Sequence, residues 1–457
     1  MDVPGPHPLE TFATVGPSPA RRLPPYLRRL AARYGPMVRF RLLGGTFFLV
    51  SNPQWIGRIL VADQHRYTKN RWTMRMNLLL GEGLLTSSEP LHRKMRRIVQ
   101  PAFHSARIAG YALQMQQATE RFGSELTPEP FDMHAAMTEL TLRIASQTLF
   151  GRDASGSAAS VSTSLHGLMT MFPTVLNPLG ELRLRFPLPW TRRFNALREE
   201  LDDVVMRLIA ARRAEGEDTG DALSMLMTSH DAETGETLDD RQVRDEAMTL
   251  FLAGHETTAN ALTWTWYLLA EHPEAEARVR EELFAVDADP TTMGAAEAFP
   301  YTMAVLRESM RLYPPAWLIG RTSLEDVEVG PYHMPAGSTV LLSPLVVHRQ
   351  PGVYSKPDEF VPERWLQNAE VPPFAYFPFG GGSRRCIGEQ FAWMEMLIVL
   401  VTLGRRFRFV RTAADRVKPH AIVTLRPSGP VPMRYEMAAR PRRDGDRRAS
   451  DRDLGAA

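Results

Sequence analysis

From about residue 90 to residue 313, apolar residues recur at three- and four-residue spacing, and no Pro/Gly/Ser-rich linker divides the run. The segments 90–104, 108–125, 131–151, 190–214, 239–271, 273–286 and 299–313 each predict a helix. Stretches of strand character lie outside them. MVRFRLLGGTFFLVSN predicts two short strands joined at Gly44–Gly45, VEVGPYHMPAGSTVLLS predicts strands over 325–345, and a last hairpin-like segment spans about 421–437. Before these, PPYLRRLAARYG predicts a helix stopped at Gly35. A chain of 457 residues ordinarily divides into two or three domains. With no linker and no internal repeat, the expectation is instead one large unit over 21–437, mainly α with small β-sheets. A large buried cofactor would help to hold such a unit together. Residues 1–20, with recurring Pro and Gly, predict a flexible arm, and the charged stretch 438–457 predicts a disordered tail.

Charge excludes several functions. Lys+Arg number 54 and Asp+Glu 52, and setting aside the six Arg and four Asp after Ala439 leaves 48 against 48. Nucleic acid is therefore not an expected partner. The longest apolar run, MLIVLVTL from Met396 to Leu403, falls far short of the roughly 20 residues a bilayer span needs. The N-terminus lacks the apolar core of a signal peptide. No membrane span is expected, and the expected location is cytoplasmic. The one cysteine, Cys386, cannot form an internal disulfide, a Cys-rich zinc site or an iron–sulfur cluster.

A lone cysteine is ordinarily a small buried hydrophobe. The surroundings of Cys386 argue for more. It stands in Phe377-Pro-Phe379-Gly-Gly-Gly382-Ser-Arg384-Arg-Cys386-Ile-Gly388-Glu389, directly before the apolar, helix-forming run EQFAWMEMLIVLVTL. The glycines permit a tight loop, and a helix N-terminus favours thiolate. Arg384 adds positive charge, Phe379 can shield the sulfur, and Gly388 lets a flat ligand approach the helix. The spacing Phe379-x-x-Gly382-x-x-x-Cys386-x-Gly388 resembles the haem-binding loop of the cytochrome P-450 family.

Three further blocks agree with that resemblance. Glu308 and Arg311 lie three apart on a helix stopped by Pro314-Pro315, and resemble the family's Glu-x-x-Arg. With Arg364 of Pro-Glu-Arg-Trp they predict a buried structural charge cluster. The helix 239–271 carries Ala253-Gly254-His255-Glu256-Thr257-Thr258, a group of poor helix formers in a helix interior, where a broken local rule marks function. The same residues resemble the family's Ala-Gly-x-Glu-Thr, which implies an acid–alcohol pair, Glu256 and Thr257, with Ala253 beside the cofactor. A zinc protease is excluded, since HExxH would need His where Ala259 stands. Leu91-His92-Arg-Lys-Met-Arg96 is similar to the family's Trp-x-x-x-Arg with His92 in place of Trp. His92, Arg96, Arg321 and Arg384 fall at family positions for the haem propionates.

The resemblance covers roughly 22–437. It implies a triangular-prism fold with haem between a long distal helix and a proximal cysteine loop and helix, Cys386 as the iron ligand, and haem b as cofactor. It implies a monooxygenase that inserts one atom of O2 into a C–H or C=C bond. The expected substrate is an apolar small molecule such as a terpenoid, polyketide or fatty-acyl metabolite, lined by 71–85, 169–188, 248–253, 316–319 and Val423. No flavin, nicotinamide or iron–sulfur motif is present, so electrons are expected from a separate ferredoxin or flavodoxin with an NAD(P)H-dependent reductase. Arg93, Lys94 and Arg97 are the expected docking charges. The alternative is a haem-binding sensor or carrier without turnover.

Overall fold

The computed structural model describes residues 2–438 apart from 17–18, 43–44, 152–163, 165–166, 169, 172–173, 176–182, 217–219, 232 and 367–370. Helices form where the periodicity places them: Pro19–Tyr34, Leu91–Val99, Ser105–Glu125, Met133–Phe150, Pro189–Glu215, Asp240–Glu271, Pro273–Ala285, Pro300–Leu312 and Glu389–Gly404. The longest, Asp240–Glu271, opens with a reciprocal cap. The Asp239 carboxylate accepts the Gln242 N–H at 2.8 Å, and the Gln242 side chain accepts the Asp239 N–H at 3.1 Å.

This long helix is buried on nearly every side because other helices surround it. Its C-terminal half joins Ser105–Glu125, Pro300–Leu312 and Glu389–Gly404 in one apolar cluster, and its N-terminal half joins Pro189–Glu215 in a second. Trp264 lies at the centre, fully buried, with its ring 4.0 Å from that of Tyr313 and nearly parallel to it. Its indole N–H donates to the Leu425 carbonyl at 3.1 Å and so ties the helix to the strand Leu425–Pro427.

The sheets are small. Five strands run in the order Met37–Leu42, Gly45–Val50, Thr339–Leu342, Ile319–Ser323, Tyr67–Lys69, with one parallel pair, Gly45–Val50 on Thr339–Leu342. The expected pairing of 37–42 with 45–50 is present; Gly44 of the expected turn lies outside the described residues. The segment 421–437 is not one hairpin. Pro419–Ala421 pairs with Leu425–Pro427, whereas Pro432–Met437 joins Phe407–Arg411 and Phe131–Asp132.

The N-terminal stretch expected as a flexible arm carries a helix, Pro8–Val15. Pro at its start and the His7 side chain accepting the Leu9 N–H begin it, Val15 is fully buried, and the Thr11 hydroxyl meets that of Tyr26 at 2.8 Å. Those long-range contacts hold a segment whose composition alone reads as loose. Residues 439–457 of the expected tail lie outside the described residues. Among the described residues no helix is long and apolar enough to cross a membrane.

The charge cluster forms as expected. Glu308 and Arg311 are fully buried and bidentate, with both N···O distances 2.8 Å, and Arg364 reaches Glu308 at 3.1 Å. Glu308 also accepts from the Trp365 indole at 2.8 Å and the Val361 N–H at 2.9 Å. Arg311 donates to the carbonyls of His348, Pro357 and Glu359.

Candidate functional site

The cysteine loop is closed by backbone bonds. The Cys386 N–H donates to the Phe379 carbonyl at 2.9 Å and the Arg385 N–H to Gly382 at 3.1 Å, after which the helix Glu389–Gly404 begins. Gly382 has φ +69°, and a Cβ there would lie 1.7 Å from the Leu60 carbonyl oxygen, so only glycine fits. Phe379 is half-buried, its ring edge-on to Trp393 at 5.4 Å. The Cys386 side chain is solvent-accessible, yet burial pushes its thiol up to about 11. Those two facts coexist where a side chain lines an internal cleft. The Gly388 N–H, Arg96 and Arg385 oppose the rise, whereas Glu389 adds to it. The helix terminus and neighbouring cations favour thiolate as expected, and burial opposes them.

The long helix presents small residues to solvent in mid-span. Ala253 is exposed and Gly254 and Thr257 partly so, while Phe251, Leu252, His255 and Thr258 around them are buried. A Cβ on Gly254 would meet no atom within 4 Å, and one on Gly388 would meet only the Phe103 ring, at 3.6 Å. No protein atom demands glycine at either place; a flat group lying against them would. Thr257 and Thr258 hydroxyls donate back to the carbonyls of Ala253 and Gly254, at 2.6 and 3.0 Å. The Glu256 carboxylate accepts from the Thr424 hydroxyl at 2.7 Å. Acid and alcohol are thus neighbours in sequence, but each is bonded elsewhere.

Cations gather on one side of the cleft. Arg321 stands opposite Lys69 in the register of Ile319–Ser323 with Tyr67–Lys69. Burial, then Arg384, holds Arg321 down to about 10. Burial, then Arg384 and Arg321, brings Lys69 to about 6. Arg384 donates to the Ser87 carbonyl at 3.1 Å and lies 3.6 Å from Glu89. Arg96 donates to the Arg385 carbonyl at 2.8 Å, beside the cysteine. His92 is buried and brought to about 4, so it is neutral at pH 7. Its Nδ1 meets Glu89 at 3.0 Å. A carboxylate accepts, so the single N–H of neutral His92 goes to Glu89, and its Nε2 is left an acceptor.

Arg384 disfavours the charged forms of Arg321, Lys69 and His92, and among the described residues the acids opposing this are Glu89 and, at Lys69, the buried Glu246. A ligand bringing two carboxylates would relieve that imbalance. Among the described residues no three His, Cys, Asp or Glu side chains could hold a bare metal ion. The donor set of one thiol, open glycines and surplus cations fits haem.

Sequence reading missed two buried groups here. Lys69, which donates to the carbonyls of Leu84 and Leu85, sits in a short polar-looking stretch. Glu395 is hidden in the apolar run after Cys386; it is buried beside Thr258, and burial holds its carboxyl well above the usual range. Of the expected docking charges, Lys94 pairs with Glu236, and Arg97 with Asp231 and Glu233. Arg93 is exposed. That basic face is largely neutralised within the chain. Among the expected lining segments, Ala253 is exposed, Ala316 is exposed between buried neighbours and Val423 is partly accessible. Residue 169 and most of 172–182 lie outside the described residues.

Comparison with known proteins identifies the family. The Cytochrome P450 family model matches residues 3–431. Cyclooctatin synthase of Streptomyces melanosporofaciens is 37% identical over 428 residues, 91% of each chain. Cyclooctat-9-en-7-ol 5-monooxygenase of the same organism is 34% identical over 90% of each chain. Pentalenene oxygenase of Streptomyces avermitilis is 29% identical over 88% of this chain and 91% of its own. The crystal structure of the cytochrome P450DA heme domain superposes with a TM-score of 0.83 at 27% identity, covering 96% of this chain and 98% of that one. In sequence and in fold alike, the chain belongs to the cytochrome P450 family and is a monooxygenase of the haem-thiolate class.

Proposed function

We propose that this monooxygenase holds haem b through Cys386 and oxidises an apolar, terpenoid-like small molecule at a C–H or C=C bond. The observation that carries the reading is the accessible thiol of Cys386 together with the uncovered small residues Ala253 and Gly254 on the long helix. Haem, when bound, supplies the activation of O2 and the transfer of one oxygen atom. The chain's own residues do the rest. Cys386 ligates the iron, and Phe379 keeps water from the sulfur. Gly382 shapes the loop, and Gly388 and Ala253 leave room for the ring. Arg96, Arg321 and Arg384, with Lys69 added from the structure, hold the propionates; His92 orients through Glu89 rather than donating to them. Glu256 and Thr257 hold and pass protons. A ferredoxin or flavodoxin with its NAD(P)H-dependent reductase supplies electrons.

The substrate class is supported by the names of the relatives, which act on cyclooctat-9-en-7-ol and pentalenene, an alkenol and an alkene. Exposed Ala316 and partly accessible Val423 suit such apolar skeletons. The experiment uses purified holoprotein. Reduction under carbon monoxide should red-shift the Soret band as thiolate ligation does, and a cyclic terpene alkene or alcohol should shift the spin state. With ¹⁸O2 and a reconstituted electron donor, one labelled atom should enter the product. Protein without haem, or with haem lacking the thiolate signature, overturns the reading. A thiolate signature with no label incorporated under any terpene would instead favour the sensor or carrier.

Thr257→Ala should lower product formation by about a hundredfold, the low end for loss of a positioned proton donor, while NAD(P)H oxidation continues. Full product per NAD(P)H in that variant would remove Thr257 from the proton path.

A further inference from the structure

Glu256 has no ion-pair partner among the described residues, although it sits on a helix whose neighbours are buried. What fixes its carboxylate is a hydroxyl from a different element. The Thr424 Oγ1 donates to Glu256 Oε1 at 2.7 Å, and Thr424 lies in the turn between the strands Pro419–Ala421 and Leu425–Pro427. The same hydroxyl accepts from Asn260 Nδ2 at 3.2 Å, and Asn260 Oδ1 meets His134 Nε2 at 3.1 Å. Because the Asn260 amide gives its N–H to Thr424, its oxygen is the acceptor toward His134, which must carry its proton on Nε2. Three donors, His134, Asn260 and Thr424, therefore point the same way and end on the carboxylate. Hydrogen bonds in such a chain polarise one another, and all of them favour the charged acceptor.

We propose that Thr424, backed by Asn260 and His134, is a positioning residue that fixes the Glu256 carboxylate for proton delivery. The inference rests on the assignment of Glu256 as the acid of the reaction. An amide passes a proton only by leaving its stable form, so the chain holds Glu256 rather than conducting protons to it. Asn260 is fully buried and Thr424 nearly so. Asn is a poor helix former at an interior position, and nothing local on the long helix calls for it. The other titratable groups near the acid do not replace the hydroxyl. His255, next to Glu256, bonds the Phe251 carbonyl through Nδ1 at 2.8 Å, and burial keeps it and His134 neutral at pH 7. Asp132 and Arg426 act on His134 with opposite signs.

Thr424 is also held in place independently of its hydroxyl. The Leu425 N–H donates to the Pro315 carbonyl at 3.0 Å, and the Leu425 carbonyl accepts from Trp264 at 3.1 Å. Thr424→Val, equal in shape, therefore removes the bond without releasing the turn.

The test compares wild type, Thr424→Val, Thr424→Ser, Glu256→Gln and the Val/Gln double variant as holoenzyme with its electron donors. Thr424→Val should lower product per NAD(P)H about tenfold. Thr424→Ser should restore that ratio. In the Glu256→Gln background, Thr424→Val should change nothing further. A wild-type ratio in Thr424→Val, or an undiminished effect in the Gln background, would overturn the proposal. If Glu256→Gln itself leaves the ratio unchanged, the acid assignment falls, and with it the proposal's premise. A readout independent of turnover is ¹⁵N NMR of His134 in the diamagnetic carbon monoxide complex. The Nε2–H tautomer is expected, and Nδ1–H would overturn the chain of donors even if a variant failed to fold.

Discussion

Glu308→Ala is expected to cost about 3–5 kcal/mol of stability, the usual penalty for removing one member of a buried ion pair. The carboxylate is fully buried and receives five N–H groups: two from Arg311, one from Arg364, one from Trp365 and the backbone N–H of Val361. Its loss leaves the Arg311 guanidinium buried without an opposing charge, and leaves the Trp365 and Val361 donors unmet. Three backbone carbonyls still solvate Arg311, which keeps the penalty from growing further. The damage should reach the cysteine loop. Arg311 bonds the His348 carbonyl at 2.8 Å, and the His348 ring accepts the N–H of Phe377, two residues before Phe379, at 2.9 Å. Burial holds His348 at about 3, so it is neutral and available as that acceptor. Haem content should therefore fall together with the urea midpoint. The exposed Arg33–Glu10 pair at 3.4 Å is the control, and Glu10→Ala should change the midpoint very little. Equal midpoints for Glu308→Ala and wild type would show that the cluster does not hold the scaffold.

The parts of this protein that were legible in the sequence are those whose physics is local. Helix bounds such as 239–271 for Asp240–Glu271 follow from a capping Asp and an unbroken apolar period. The charge cluster could be read because two of its members are a single helical turn apart and the third sits beside a Trp that also binds. Groups defined by long-range pairing were not legible. Lys69 becomes a buried amine whose charge is disfavoured because its strand meets Arg321 across some 250 residues of chain. Glu256 is held by a hydroxyl 168 residues away. The helix Pro8–Val15 exists because distant side chains bury one face of a segment rich in Pro and Gly. The burial of the thiol was not legible for the same reason: adjacent residues favour thiolate, whereas the desolvation that opposes it comes from the whole fold.

Cys386→Ser should abolish oxygen insertion while leaving the polypeptide folded. The two consequences separate because the loop does not depend on the sulfur. The backbone bonds Cys386 to Phe379 and Arg385 to Gly382 persist with any side chain at 386, and the Arg385–Glu389 pair flanks the position at 2.5 Å. The side chain is accessible, so a hydroxyl there is not stranded in an apolar core. Far-UV circular dichroism and the urea midpoint of haem-free protein should therefore match wild type. The chemistry has no such redundancy. Cys386 is the only cysteine, and serine is a hard, weakly acidic donor that cannot push electron density toward bound oxygen as a thiolate does. The cations Arg96, Arg321 and Arg384 remain, with the Lys69 amine beside them, so some haem should still bind through its carboxylates, but its reduced carbon monoxide spectrum should lose the thiolate red shift. Retention of both that red shift and ¹⁸O incorporation in Cys386→Ser would mean that another side chain ligates the iron, and the loop's geometry would then need a different explanation.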